Sequence, residues 1–419
     1  MAVAQGGGRL RVDPQPCPAA MVRRAWNPPM PGLIHYPRRN LAVDLLRGIS
    51  ILIVMLLHAR VGGAEYSRPV IVPGWILNPV AYNGVLGVCM FFVISGYLIT
   101  SLTLQRDGDF RRVHFGRFYI FRASRILPPV TLLIALNLAC NGLGFGGFGT
   151  GDVGLGRILG YLFTFRFNLL YLNGAAVLPA WAVLWSLSIE EMFYLLFPLV
   201  SRLIRLEWLM ALVLLAVILQ GPFYRSAHGS GSLYSYCGCF DQLALGCLVA
   251  LASRRFQAVA WKPALRRGLQ AFGLALFVTL CYCFDINAGM NHVFLPSAVA
   301  LAAGIYLLGS PLAAAKGGST GERWPNFAWP LCLAGFLSYE LYLFYAPILL
   351  ILRQPLHRFV VATGGIMPRD VAVVILIGLA TILCGLLHTW IHEPILRWSR
   401  TWQRSGSKSR DLKPESGAP

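Results

Sequence analysis

Charge is what this sequence has least of. Asp, Glu, Lys and Arg make up 13% of its 419 residues, about half the share of a soluble domain, whereas 56% are hydrophobic. Acidic residues are scarcer still, 17 against 36 Lys plus Arg, for a net charge of +19. The ten cysteines form no C-x-x-C pair. Most, among them Cys89, Cys247 and Cys384, fall in apolar runs, where cysteine acts as a small buried hydrophobe. That excludes a disulfide framework and a cysteine-built metal site. The first forty residues are rich in Gly, Pro and Arg and lack the apolar core of a cleavable signal peptide.

What the chain has instead is apolar runs near twenty residues, the length that crosses a bilayer as a helix. Ten are expected, at about 41–60, 82–104, 126–145, 183–204, 208–222, 236–253, 270–286, 294–310, 331–352 and 371–392. With the N-terminus in the cytoplasm, alternate connections and tails carry 27 Lys and Arg on that side and 8 on the other. This asymmetry satisfies the positive-inside rule, so the basic balance reads as membrane topology and not as nucleic-acid binding. The expectation is an all-α polytopic membrane protein with both termini cytoplasmic. Residues 1–40 form a disordered basic tail, 41–395 the transmembrane domain, and 396–419 a second basic tail.

The first run, LAVDLLRGISILIVMLLHAR, holds Asp44, Arg47 and His58 inside an otherwise apolar span. Ionisable residues at such depth are costly and mark function. Asp44 and Arg47 are three apart, hence neighbours on one face, and Asp44 is expected to hold Arg47 in place. His58 follows Arg47 by eleven steps of about 100°, which returns to within about 20° of the same stripe and about 16 Å along the axis.

Other polar groups fall at defined places in this topology. The loop after the second span carries Arg111, Arg112, Arg117, Arg122 and Arg125, whose guanidinium forks suit phosphate or anionic headgroups. Residues 141–180 begin Gly-rich and continue as RILGYLFTFRFNLLYL, expected to lie in the interface or to re-enter over the site. In the fourth span Ser186, Glu190, Tyr194 and Phe197 share a face, and Glu191 points about 100° away. Two carboxyls there need partners, and His58 is expected at the same depth. Asp241 opens the sixth span, and Glu340 falls within the ninth. His388 and His392 are four apart in the tenth but have no third ligand nearby in sequence, so no metal is expected and they read as interfacial side chains.

Taken together, these segments resemble acyltransferase family 3, membrane proteins whose first helix carries D-x-x-R-x10-H. The likeness continues through FFVISGYLIT, FYIFRASRILP, WSLSIEEMFY, FDQLALG, GFLSYELYL and HEP, in the family's order, over residues 41–398. It implies transfer of an acyl group, most often acetyl from acetyl-CoA, onto a hydroxyl of a carbohydrate such as an exopolysaccharide, O-antigen, peptidoglycan or lipid-linked oligosaccharide. It implies His58 as the catalytic histidine and Arg47 as its motif partner. It also puts Arg122 and Arg125 in the donor-binding basic motif, and Ser186, Glu190 and Glu191 in the active region. Tyr194 and Asp241 are expected as supporting residues. No bound cofactor is expected, and acyl-CoA is expected as a co-substrate. The expected partners are that donor, a glycan acceptor and the bilayer, and the expected location is the bacterial inner membrane.

Three departures from the family pattern stand out. Relatives commonly carry Arg two residues before the sixth-span Asp, where this chain has Cys239. Many read Y-L-W-H-x-P in the ninth span, where this chain has Y-L-F-Y-A-P with Tyr345. Some append an external esterase-like domain, whereas about 27 residues follow the last span here, so transfer is expected to finish within the membrane domain or on a separate protein.

The chemistry expected runs as follows. The arginines hold a phosphate-bearing donor at the cytoplasmic face, and its acyl arm rises past Arg47. Neutral His58, with a reference pKa of about 6.5, acts as general base on the acceptor hydroxyl or forms an acyl-histidine. Glu190 or Glu191 fixes its tautomer, as in triad logic. Acylation of a small secondary metabolite such as a macrolide is the alternative acceptor class. A proton-coupled transporter also uses buried His, Glu and Arg, but no inverted repeat is visible. A lipid-binding scaffold leaves the Asp44–Arg47–His58 stripe unexplained.

Overall fold

The computed structural model describes residues 40–62, 71–256, 261–310, 328–362 and 368–395. The two tails expected at 1–40 and 396–419 lie outside the described residues, apart from Asn40. Every regular element among the described residues is helical. Among the described residues nine helices are long and apolar enough to cross a membrane, or ten if a bent pair counts as one span. These match the ten apolar runs of the sequence one for one.

In chain order the helices are α1 (Leu41–Gly62), α2 (Gly74–Tyr82), α3 (Val85–Asp107), α4 (Phe115–Gly142), α5 (Leu155–Phe163), α6 (Asn168–Leu172) and α7 (Leu184–Leu203). There follow α8 (Glu207–His228), α9 (Tyr236–Phe256), α10 (Pro263–Cys283), α11 (Asn291–Leu308), α12 (Trp329–Phe336), α13 (Ser338–Ala362) and α14 (Arg369–Leu387). A π-helical turn, His388–His392, continues α14. Helix α1 starts where it does because the Asn40 side chain accepts from the backbone amides of Ala42 and Val43, satisfying two donors that have no partner inside the helix.

Small residues let the central helices touch backbone to backbone. A Cβ on Gly96 of α3 would strike the Leu243 carbonyl of α9, and one on Gly246 would strike the Val93 carbonyl in return. Helices α1 and α12 repeat the arrangement, Gly48 facing Leu331 and Gly335 facing the Asp44 carbonyl. Between lipid-facing helices, where the hydrophobic effect offers little, such close approach is the main source of packing energy. Around these crossings Met90, Val93, Tyr97, Ala303 and Tyr306 form a buried core, and the Tyr306 hydroxyl donates to the Ala42 carbonyl at 3.0 Å.

Three features differ from the sequence expectation. Helix α4 begins at Phe115, eleven residues before the expected span, so Arg117, Arg122 and Arg125 stand on helix and not in a loop. Its buried face, Phe118, Ile126 and Val130, continues the 3.6-residue stripe through Arg122, which is why the segment stays helical despite its charges. Helix α8 runs on to His228, so Arg225, counted above as a loop charge, is buried within the bundle. The ninth apolar run is bent: α12 and α13 meet at 83°.

The segment 141–180 folds over one end of the bundle. The Trp181 indole donates to the Phe148 carbonyl at 3.0 Å, and Asn168 donates to the Tyr234 carbonyl at 3.0 Å. The Phe167 amide donates to Ser188 Oγ at 3.1 Å, which ties this cap to the first turns of α7.

Candidate active site

A cavity of about 680 Å³ follows α3 along its length, with lining residues from Val88 to Arg106. Eighteen residues at 1.5 Å per residue make that about 27 Å. Gln105 and Arg106 line one end, Arg122 and Arg125 the stretch from that end to the middle, and Phe91, Phe92, Ser186 and Tyr342 the other end. Arg106 is paired with Asp107 at 2.8 Å, and the Arg122 guanidinium lies 3.8 Å from the Tyr194 ring centre. Arg125 stacks more loosely over Tyr339, at 5.6 Å. A guanidinium on an aromatic face gains cation–π attraction and keeps the planar fork that suits phosphate and carboxylate groups.

The middle of the cavity brings together residues from five helices. Arg47 of α1, Ser95 of α3, Glu190 and Glu191 of α7 and Tyr339 of α13 all line it with the α4 arginines. Ser95 donates to Glu190 at 2.8 Å, and the Tyr194 hydroxyl donates to the other oxygen of the same carboxylate at 3.3 Å. Asp44 is buried one turn before Arg47, its carbonyl packed on Gly335.

Glu190 and Glu191, expected to partner His58, are placed away from it. Leu57, the residue before His58, packs over Gly84 at the start of α3. Ser95, the partner of Glu190, lies eleven residues further along α3, about 16 Å away. The carboxylates sit at the depth of Arg47 and the arginines, and His58 sits at the other end of the stripe.

At that other end His58 is exposed, and its environment fixes its tautomer without a carboxylate. Nδ1 lies 2.9 Å from the Val54 carbonyl one turn back. A carbonyl oxygen only accepts, so Nδ1 carries the proton and Nε2 keeps a bare lone pair. The Tyr345 hydroxyl is 3.2 Å from both ring nitrogens, and the two rings cross at 63° with centres 5.0 Å apart. Tyr345 in turn packs edge-on against Tyr342, 6.2 Å between centres, and Ser186 Oγ holds the Tyr342 hydroxyl at 2.6 Å. From the cavity to His58 the order is thus Tyr342, Tyr345, His58.

The sequence left three parts of this arrangement unassigned. Tyr339, Tyr342 and Tyr345 recur every three residues along α13, a spacing visible in SYELYLFY. Arg225 of α8 makes a bidentate pair with Asp241 at 3.1 and 3.0 Å, and Ser297 donates to the same carboxylate at 2.6 Å. This guanidinium comes from a neighbouring helix, α8, whereas the sixth span itself has Cys239 two residues before Asp241. The pair is fully buried and Asp241 does not line the cavity, so its contact is a brace between α8, α9 and α11. Finally, the third group that His388 and His392 lack in sequence is present in the fold. Both histidines are buried and face Glu340, which the fold supplies from α13.

The profile of an acyltransferase domain matches residues 40–390. YrhL of Bacillus subtilis, provisionally named a peptidoglycan O-acetyltransferase, is 25% identical over 371 residues, 81% of this chain and 55% of its own. The O-acetyltransferase OatA of Staphylococcus aureus is 31% identical over 172 residues, 40% of this chain and 25% of its own. The peptidoglycan O-acetyltransferase OatA of Listeria monocytogenes is 27% identical over 198 residues, 46% of this chain and 29% of its own. The chain spans about half the length of YrhL and less of the two OatA proteins. No solved structure matches it. With its domain profile covering all the described helices from α1 into the final π turn, the chain belongs to the acyltransferase 3 family.

Proposed function

We propose that the protein is a multi-pass O-acyltransferase of the bacterial inner membrane, with both termini in the cytoplasm. It moves an acyl group, acetyl first among the candidates, from acyl-CoA to a hydroxyl of a carbohydrate acceptor. The names of the relatives favour peptidoglycan or a similar glycan over a macrolide. The observation that carries this reading is the form of the cavity: arginines at one end, an aromatic layer at the other, and beyond that layer a histidine whose Nδ1 faces the Val54 carbonyl and whose unprotonated Nε2 lies 3.2 Å from the Tyr345 hydroxyl.

The phosphates of the donor engage Arg122 and Arg125 by charge-assisted hydrogen bonds at the cytoplasmic end. The pantetheine arm extends along α3 past Ser95 toward Tyr342, a length that the cavity accommodates. His58 Nε2 accepts the proton of the acceptor hydroxyl as its oxygen attacks the thioester carbonyl. The carbon–sulfur bond then breaks, and the departing thiolate recovers that proton from the imidazolium. The Val54 carbonyl steadies the imidazolium through the Nδ1 hydrogen bond, the role expected above of a carboxylate. Glu190 and Glu191 belong to the donor half, where they set the positions and field of the arginines.

The test is CoA release from acetyl-CoA by the detergent-purified protein, wild type against His58→Ala, across a panel of glycan acceptors. Release that needs both an acceptor and His58 is the expected result. A folded wild-type protein that releases no CoA from any acyl-CoA overturns the proposal.

A further inference from the structure

Glu340, His388 and His392 form a cluster that the transfer chemistry above leaves unused. They come from two elements, the first turn of α13 and the π-helical turn that ends α14. All three are buried, with Glu340 only 2% exposed, yet all three line the cavity. His388 Nδ1 is 2.6 Å from Glu340 Oε1, and His392 Nδ1 also contacts that oxygen. One ligand atom from each residue thus falls within 4.8 Å of the others.

We infer that this cluster is a divalent metal site of the His2Glu type, best suited to Zn²⁺, with one coordination position open to the cavity. Two imidazoles and one carboxylate are the donor set of open zinc sites, in which water or a substrate oxygen takes the fourth position. Histidines four residues apart on one helix turn present their nitrogens to the same side. A π-helical turn is rare and concentrates at functional positions, and here it carries both histidines.

The surroundings suit an ion. The Phe336 ring packs edge-on against His388, 4.8 Å between centres, and the Tyr339 ring lies 5.9 Å from His392. These walls limit water and hold both imidazoles in orientation. Glu393 Oε2 approaches Nε2 of His388 to 4.0 Å, on the side away from the shared oxygen, where an outer-shell carboxylate would orient a ligand. As the cluster stands, one carboxylate oxygen takes both Nδ1 contacts. Tetrahedral ligands about 2.1 Å from an ion lie about 3.4 Å apart. Glu340 must therefore draw back by roughly 1 Å, a side-chain rotation, and the ion displaces the two Nδ1 protons.

This inference does not depend on the acyl-transfer reading, since occupancy is measured without turnover. The full chain is purified in detergent through a histidine-free tag, and its metal content is measured by mass spectrometry. It is then stripped with chelator and titrated with Co²⁺, whose visible absorption reports tetrahedral nitrogen and oxygen ligands. The expected result is about one zinc per chain and a saturable Co²⁺ spectrum. His388→Ala, His392→Ala and Glu340→Gln each lower affinity by more than the about 10- to 100-fold that an outer-shell loss costs. His114→Ala, on an exposed histidine elsewhere, leaves it unchanged. Background metal in folded wild-type protein, with no Co²⁺ spectrum, overturns the site even if every cluster variant fails to fold. Co²⁺ binding that survives all three substitutions overturns it equally.

Discussion

The Tyr345 hydroxyl stands over the face of the His58 imidazole, 3.2 Å from Nδ1 and 3.2 Å from Nε2. In the ring plane, a point equidistant from both nitrogens falls on the Cε1 hydrogen, so the hydroxyl lies above the ring and in line with neither lone pair. Tyr345 thus orients the imidazole without occupying Nε2, and the backbone of Val54 sets the tautomer. Loss of the base in His58→Ala is expected to lower acceptor-dependent transfer by about 10²- to 10⁴-fold. Tyr345→Phe keeps the ring packing and is expected to stay within about tenfold of wild type. A Tyr345→Phe protein as inactive as His58→Ala would make the hydroxyl part of the proton path.

Glu190 separates two mechanisms cleanly. Bound to Ser95 and Tyr194 at the depth of the arginines, it is expected to act on the donor. Glu190→Gln should raise KM for acyl-CoA and leave kcat within about threefold, whereas loss of a carboxylate that partners the catalytic base costs about 10⁴-fold in kcat. Steady-state kinetics with varied acyl-CoA decide between them.

The Arg122 guanidinium sits 3.8 Å from the Tyr194 ring centre, and lysine lacks the planar fork that stacks there. Loss of a charge-assisted hydrogen bond is worth about 1.5–3 kcal/mol, hence a rise of about 10- to 100-fold in the KM for acyl-CoA in Arg122→Ala. Arg122→Lys should recover only part of this. Dephospho-CoA donors, which lack one phosphate, should lose less from the substitution than acyl-CoA does if that phosphate is the group bound.

Tyr342 closes the cavity on the side of His58 and is pinned by Ser186. Tyr342→Ala is expected to open the cavity to water and raise acceptor-independent CoA release severalfold, because a closed site protects its thioester from hydrolysis. Ser186→Ala should show the same change more weakly. Unchanged background hydrolysis in both would show that the layer does not exclude water.

The Arg225–Asp241 pair is a prediction about stability. Removing one partner of a buried ion pair strands the other and costs about 3–5 kcal/mol. Asp241→Ala should unfold at markedly lower temperature or denaturant, while the protein that remains folded keeps its donor KM. A change in KM with stability intact would return Asp241 to the active region.

Much of this molecule is written locally in its sequence. The ten apolar runs became ten candidate spans because a backbone in lipid must satisfy its own hydrogen bonds, which leaves a twenty-residue apolar run one solution, the helix. The stripe of Arg47 and His58 was likewise legible, since both lie on one helix and its periodicity fixes their bearing. The extra turns of α4 were hidden because their three arginines read as loop, whereas their apolar neighbours are buried.

Which helix faces which is not local, and the site depends on it. Sequence placed Glu190 near His58, but the crossing of α3 with α1 and α7 put it beside Ser95 and the arginines. Arg225 looked like a loop charge until Asp241 of the next helix met it, and His388 and His392 lacked a third partner until the bend before α13 delivered Glu340. The sequence by itself determined the helices and the residues each carries, because periodicity and hydropathy act within one element. Only the tertiary structure decided the partners, because glycine contacts such as Gly96 on Leu243 and Gly335 on Asp44 set how closely and at what level the helices pass.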